Sequence, residues 1–175
     1  MSKYSSVQAV LRREGGHGND PDDPGKETYC GISRRYQPKW KGWAFVDSKN
    51  WVMAKTWVQD FYNNYWDDMK VDSLLDPMLQ ESVFDYGVNT SPKHAVKILQ
   101  RTLKYMGKKS VADDGKIGPA TAKACSDLFG AGKGNELLRM YAGKKSVDYC
   151  EKVIAAPVKR KFLFGWLLRA WEQVR

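Results

Sequence analysis

Glu14 is the first residue whose surroundings specify a chemistry. It closes the series Val7, Val10, Leu11, Glu14, spaced i, i+3, i+4, i+7, so its carboxyl falls on the apolar face and in the last turn of a predicted helix. Burial and the negative end of the helix dipole both disfavour the ionised form and push its pKa upward, as a general acid working near neutral pH requires. The loop that follows supplies the opposite environment. Asp20, Asp22 and Asp23 stand among Gly18, Pro21, Pro24 and Gly25, in a polar segment where water and backbone N–H groups keep a carboxylate ionised. One raised and one low-pKa carboxyl form the acid and base pair of glycoside hydrolysis, and Thr28, five residues after Asp23, is suited to hold an attacking water with it. Two other readings stay open on these residues alone. Glu14 is equally a helix-end side chain reaching to water beside an ordinary Asx-turn loop, or the loop binds calcium. Counted from Asp20, Gly25 takes the sixth place of an EF-hand loop, but Gly31 stands at the twelfth, where a bidentate glutamate belongs.

Other constellations are weaker. His17 and His94 are the only histidines, no HExxH occurs, and Cys30, Cys125 and Cys150 have no ligand spacing, so neither a catalytic metal nor a cofactor is expected. The odd, unpaired cysteines read as reduced thiols. Gly107-Lys108-Lys109-Ser110 and Gly143-Lys144-Lys145-Ser146 imitate the end of a P-loop, but Thr102 and Leu138 stand where its first glycine belongs, so both are read as basic turns at helix ends. Gln80-Glu81-Ser82 is similar to the glutamate-serine motif of lytic transglycosylases without its downstream glycine-leucine-methionine-glutamine, and Glu81 is read as a solvated helix residue. Among the tryptophans, Trp51 and Trp57 on a predicted helix are assigned to the core, whereas Trp40 and Trp43 in a loop are candidates to line a glycan cleft.

The elements that must position these groups are mostly helical. Ser5-Ser6-Val7-Gln8 has the form of a capping box, so a first helix should run from Ser6 to Glu14 and end at Gly15-Gly16. Residues 17–50 read as loops with at most a small hairpin around 28–32. Helical patterns follow at 51–66, 78–88, 93–106, 119–129, 135–153 and 158–174. The chain of 175 residues carries a net charge of +9, which calls for a polyanionic partner. No reading helix or known nucleic-acid motif gathers the basic residues, so no specific nucleic-acid partner is expected. In the last segment Leu163, Leu167, Ala170, Trp171 and Val174 form one stripe beside Lys159, Arg160, Lys161 and Arg169. This reads as a docking helix of the last subdomain, with contact to an anionic membrane as the second reading. The N-terminus shows no secretory signal, so synthesis in the bacterial cytoplasm is expected.

Glu14-Gly15-Gly16, Asn19-Asp20-Pro21, Asp23-Pro24-Gly25, Thr28 and Gly31-Ile32 resemble the signature of glycoside hydrolase family 108, the muramidases found among phage endolysins and some bacterial secretion loci. The glutamate, eight intervening residues, aspartate and then threonine also resemble the triad of T-even phage-type lysozymes, where the threonine lies one residue further on. Phe84-Asp85-Tyr86-Gly87-Val88-Asn89 is similar to the family's aromatic-rich helix. Asp114-Gly115-Lys116-Ile117-Gly118-Pro119-Ala120-Thr121 resembles the turn of the peptidoglycan-binding domain that follows such catalytic regions, and Phe164-Gly165-Trp166-Leu167 with Arg169 resembles its C-terminal helix. His17 stands where the family often has an aromatic residue, and Lys26 where it often has a second glycine.

The resemblance implies a mostly α, lysozyme-like helical fold with a small loop and β-hairpin region after the first helix. It implies a catalytic region over residues 1–92 and a peptidoglycan-binding-like region over 93–175, packed as one unit. Glu14 would be the general acid, Asp23 the base and Thr28 its partner in holding water, with carboxyls about 6.5–9.5 Å apart in a single displacement. Substrate contacts are expected from His17, Asn19, Asp20 and Tyr29, together with Trp40, Trp43 and Asn89. The implied activity is hydrolysis of the β-1,4 bond between N-acetylmuramic acid and N-acetylglucosamine in peptidoglycan, by a monomer that a holin or exporter delivers to the cell wall. The rivals are a non-catalytic basic protein binding peptidoglycan or nucleic acid, and a lytic transglycosylase.

Overall fold

The computed structural model describes residues 3–19 and 27–174. They divide into two units, one up to Asp68 and one from Met69. Helix dominates both, and a small three-stranded sheet follows the first helix, in agreement with the mostly α expectation.

In the first unit, α1 (Lys3–Arg13) buries Val7 and Val10, and the backbone N–H of Glu14 still donates to the Val10 carbonyl at 2.9 Å. The helix starts three residues before the expected Ser6, so Ser5 lies inside it rather than capping it. An ion pair of Lys3 with Asp67, 2.6 Å, ties down the first turn. Strands β1 (His17–Asn19), β2 (Glu27–Tyr29) and β3 (Ile32–Ser33) form an antiparallel sheet in sequence order, with His17 opposite Tyr29, Gly18 opposite Thr28, and Tyr29 opposite Ile32. The short helix α2 (Trp43–Asp47), not anticipated from the sequence, precedes α3 (Trp51–Met69). Lys49 in the left-handed region (φ 56°) breaks the chain between them, and the Asn50 side chain accepts from the Met53 N–H at 3.2 Å to start α3. Residues Gln8 and Gln59 hydrogen-bond at 2.5 Å; with the Lys3–Asp67 pair, this sets α1 antiparallel to α3.

The second unit begins where Lys70 (φ 57°) ends α3, and continues through α4 (Pro77–Asn89), α5 (Pro92–Tyr105), α6 (Pro119–Gly130), α7 (Gly134–Ala155) and α8 (Leu163–Trp171). Helices α4, α5 and α6 all open on proline, whose missing N–H costs nothing in a first turn. Asp76 and Ser91 cap α4 and α5 by accepting from Leu79 and His94. Residues 157–162 form a 3₁₀ helix, so the expected helix over 158–174 is shorter and starts at Leu163. The turn over 114–121 is organised by Gln100, which is buried in α5. Its amide donates to Asp114 (2.8 Å) and to the Lys116 carbonyl (3.0 Å), and its oxygen accepts from the Gly115 N–H at 2.8 Å. Gly115 is required there: its φ is +75°, and a Cβ would meet the Lys93 carbonyl at 2.7 Å.

Polar groups join α4, α7 and α8 in the interior. Asp85 pairs with Arg169 at 2.8 Å, and Asp148 receives His94 and Lys152 at 2.7 Å each and the Tyr86 hydroxyl. Burial pushes the Asp148 carboxyl up, but the bonds from Lys152 and Tyr86 outweigh it and hold it below the usual carboxylate range. Glu81, expected to be solvated, is buried, because α4 is enclosed on most of its circumference. The Gly143–Ser146 stretch, expected at a helix end, lies within α7. Its Lys145 is 1% exposed, donates to Ser82 at 2.7 Å and lies 5.2 Å from the Tyr141 ring centroid.

Burial lowers the Lys145 pKa to about 8 from an unfolded value of 10.5, so between these limits the unfolded state binds more protons and stability rises with pH. Other buried groups titrate over the same range, which makes the comparison with a variant decisive. Between pH 8 and 10, wild type should gain on Lys145→Met by up to about 1.4 kcal/mol per pH unit in denaturant melts. Parallel stability curves for the two proteins would show that Lys145 keeps its proton in the folded state over this range, so that burial does not lower its pKa.

Candidate active site

The site is built in the first unit, where α1 ends against the β2–β3 turn. That turn has two residues, Cys30 (φ 45°) and Gly31 (φ 78°), both in the left-handed region that a type I′ hairpin demands. The Tyr62 hydroxyl, from the buried face of α3, donates to the Cys30 carbonyl at 2.9 Å. The Cys30 N–H donates to the Gly16 carbonyl at 3.2 Å, which joins the turn to the segment leaving α1.

These two anchors set the turn directly against Glu14. A Cβ on Gly31 would lie 2.9 Å from Cδ of Glu14 and 2.8 Å from the Tyr62 hydroxyl, closer than any side chain tolerates. Gly31 itself is exposed and Glu14 is half-buried. Burial pushes the Cys30 thiol up; Lys55 opposes this and the nearby Glu14 carboxyl adds to it, so the thiol stays neutral at ordinary pH.

The sheet carries the remaining groups. Thr28 sits mid-strand in β2 with its hydroxyl over Gly18, 3.4 Å from where a Cβ would stand. His17 bonds through Nε2 to Glu27 at 2.9 Å. Glu27 also pairs with Arg34 (2.5 Å), and Arg34 reaches Asp47 and lies 4.2 Å over the Trp43 ring, bracing the sheet to α2. An aromatic row borders the sheet: His17 to Trp51 at 5.9 Å, Trp51 to Tyr29 at 5.7 Å, and Tyr29 to Trp40 at 6.5 Å.

Of the expected site residues, Glu14, His17, Thr28, Tyr29, Trp40 and Trp43 fall in this unit. Trp40 is half-buried, while Trp43 opens α2 rather than standing in a loop and is 4% exposed. Asn19 ends β1 opposite Glu27. Asp20 and Asp23 lie outside the described residues, in the stretch 20–26 that connects this pair. Asn89 belongs to the other unit, where its amide donates to the Tyr149 hydroxyl at 2.6 Å.

Trp51 corrects the core assignment, being 40% exposed, and it joins the aromatic row that the sequence reading left it out of. The missed signal is Asn50. As N-cap it places Trp51 at the first helical position, where the side chain leans back beyond the helix start instead of onto the helix's packed stripe. Trp57, also assigned to the core, is half-buried.

A half-buried carboxyl set against a glycine turn, with a strand hydroxyl and stacked rings in the same unit, is the equipment of a carbohydrate-cleaving enzyme. Residues 7–90 match the family model described as Glycosyl hydrolase 108, and residues 94–171 match that of the Predicted Peptidoglycan domain. The chain thus belongs to glycoside hydrolase family 108, with a peptidoglycan-binding-like region following the hydrolase region, and is a glycoside hydrolase acting on peptidoglycan. In fold it is similar to the structure of Brucella abortus SagA, at a TM-score of 0.75 and 23% identity over 98% of this chain and 90% of that one. Comparison with curated protein sequences finds no match.

Gly31→Ala tests the turn. Its methyl group must displace the Glu14 carboxyl and the residue must hold a positive φ, so a stability loss of about 1–2 kcal/mol is expected, with hydrolysis falling at least tenfold in protein that is still folded. Unchanged melting and turnover would mean that Gly31 does not set the position of Glu14.

Proposed function

We propose that this chain is a muramidase that hydrolyses the β-1,4 bond between N-acetylmuramic acid and N-acetylglucosamine. Glu14 protonates the glycosidic oxygen, and the carboxylate of Asp23, with Thr28, directs water at the anomeric carbon from the opposite face. The proton from that water goes to Asp23, and the sugar leaves with inverted configuration. The observation that carries this reading is the half-buried Glu14 carboxyl set against Gly31, within the stretch that matches a glycoside hydrolase family. Exposed Trp51, backed by the buried Tyr29 ring, supports it, because ring faces stack on sugar rings. Residues 1–92 serve catalysis and 93–175 hold the wall polymer, whose acidic groups the net charge of +9 complements. In the same reading the protein is a monomeric, endolysin-type enzyme, made in the bacterial cytoplasm and given access to the wall by a holin or an exporter.

Digestion of purified peptidoglycan, with fragments identified by mass spectrometry, tests the chemistry. Wild type should release fragments with reducing N-acetylmuramic acid ends, and Glu14→Gln should be slower by about 10²–10⁴-fold while still binding the polymer. Anhydro ends would make the enzyme a lytic transglycosylase, and no fragments from either protein would leave a binding protein.

Trp51→Ala should raise KM for soluble glycan fragments by about tenfold and leave kcat within about twofold, as loss of one stacking surface of roughly 1–1.5 kcal/mol predicts. An equal fall in kcat with unchanged KM would instead give Trp51 a part in positioning the catalytic groups.

A further inference from the structure

Helix α8 is apolar on two sides. Leu163, Leu167 and Ala170 form the inner stripe and are half-buried or buried. A second stripe, Phe164, Leu168 and Trp171, spaced i, i+4, i+7, is exposed at 73%, 60% and 46%, the Trp171 indole N–H donating to the Ser146 hydroxyl of α7 at 3.0 Å. The 3₁₀ segment before it adds exposed Val158 and Phe162, and Ile154 at the end of α7 is exposed as well. Lys159, Arg160 and Lys161 are exposed in that same segment, and Lys161 lies 5.0 Å over the Phe162 ring.

We propose that this face docks on an anionic lipid surface, with Phe164 and Leu168 entering the headgroup boundary beside the Trp171 ring and Lys159, Arg160 and Lys161 meeting the phosphates. Charge complementarity selects this occupant: three consecutive cations adjoin an aromatic and aliphatic stripe, the pairing that interfacial helices present to acidic lipids. A wall glycan would satisfy the cations but leave the aliphatic side chains in water. Pairing two copies through the stripe would bring two sets of three cations to one interface. The contact lies on the membrane and does not cross it, since among the described residues no helix is long and apolar enough to span a bilayer.

The test is flotation of the full-length protein with vesicles of phosphatidylcholine alone and with phosphatidylglycerol added. Wild type should float with the anionic vesicles only. Neutralising Lys159, Arg160 and Lys161 to glutamine should weaken binding about a hundredfold, since each cation near an anionic surface is worth about fivefold. The double variant Phe164→Gln, Leu168→Gln should lose at least tenfold, while its melting stays as in wild type. Quenching of wild-type tryptophan fluorescence by brominated lipid reads the insertion without any variant. The proposal is overturned if wild type does not bind, binds neutral vesicles equally, or keeps its affinity when Phe164 and Leu168 are replaced. It is also overturned if wild type sediments as a dimer that the double variant abolishes, which would assign the face to a second copy.

Discussion

Two consecutive residues in the left-handed region, Cys30 and Gly31, decide where the Glu14 carboxyl can stand. An L residue pays roughly 1–2 kcal/mol for that conformation, so Cys30 would not hold it without support. The support is the hydroxyl of Tyr62 on the Cys30 carbonyl and the carbonyl of Gly16 beneath the Cys30 N–H. Each bond contributes about 1 kcal/mol net, and together they offset the strain of the turn. The carboxyl is therefore confined on one side by backbone that has no Cβ. A side chain at position 31 would both fill that space and oppose the φ of the turn.

The same economy governs the sheet. Three short strands cannot hold register by hydrogen bonds alone, so buried Tyr29 and Ile32 pin one face. Glu27 is shared between His17 and Arg34, and Arg34 in turn bridges to Asp47 and covers Trp43. This chain of charges fixes the end of β2 opposite Asn19, which closes the two ends of stretch 20–26 on one another. His17 is thereby a brace of the sheet as well as the first ring of the aromatic row.

Legibility in the sequence followed the range of the forces involved. The Glu14 stripe could be read because it needs only helical periodicity within α1, and the starts of α4 and α5 could be read from Asp76-Pro77 and Ser91-Pro92. Helix α2 could not, since five residues carry too little periodicity and its place depends on Trp40 packing over Gly42. The start of α1 was misplaced because the Lys3–Asp67 ion pair joins residues far apart in sequence. Trp51 was assigned by its helix and not by its position in that helix. Glu81 and Lys145 look like solvated helix residues in one dimension, and only the enclosure of α4 and α7 makes them interior groups.

A buried charge such as Lys145 needs compensation, and the second unit supplies it as a connected set. Isolated ion pairs in an interior often fail to recover their desolvation cost, so the pairs between Asp85 and Arg169 and around Asp148 are better understood as setting register than as adding stability. Asp85 is fixed on α4 and Arg169 on α8, so sliding or rotating α8 would strand a buried carboxylate. That constraint orients the whole of α8. With Arg169 held inward, helical geometry turns Leu163, Leu167 and Ala170 toward α7 and leaves Phe164 and Leu168 outward. The exposed apolar stripe is thus not slack at a chain end: an ion pair buried in the core holds it in view of the solvent.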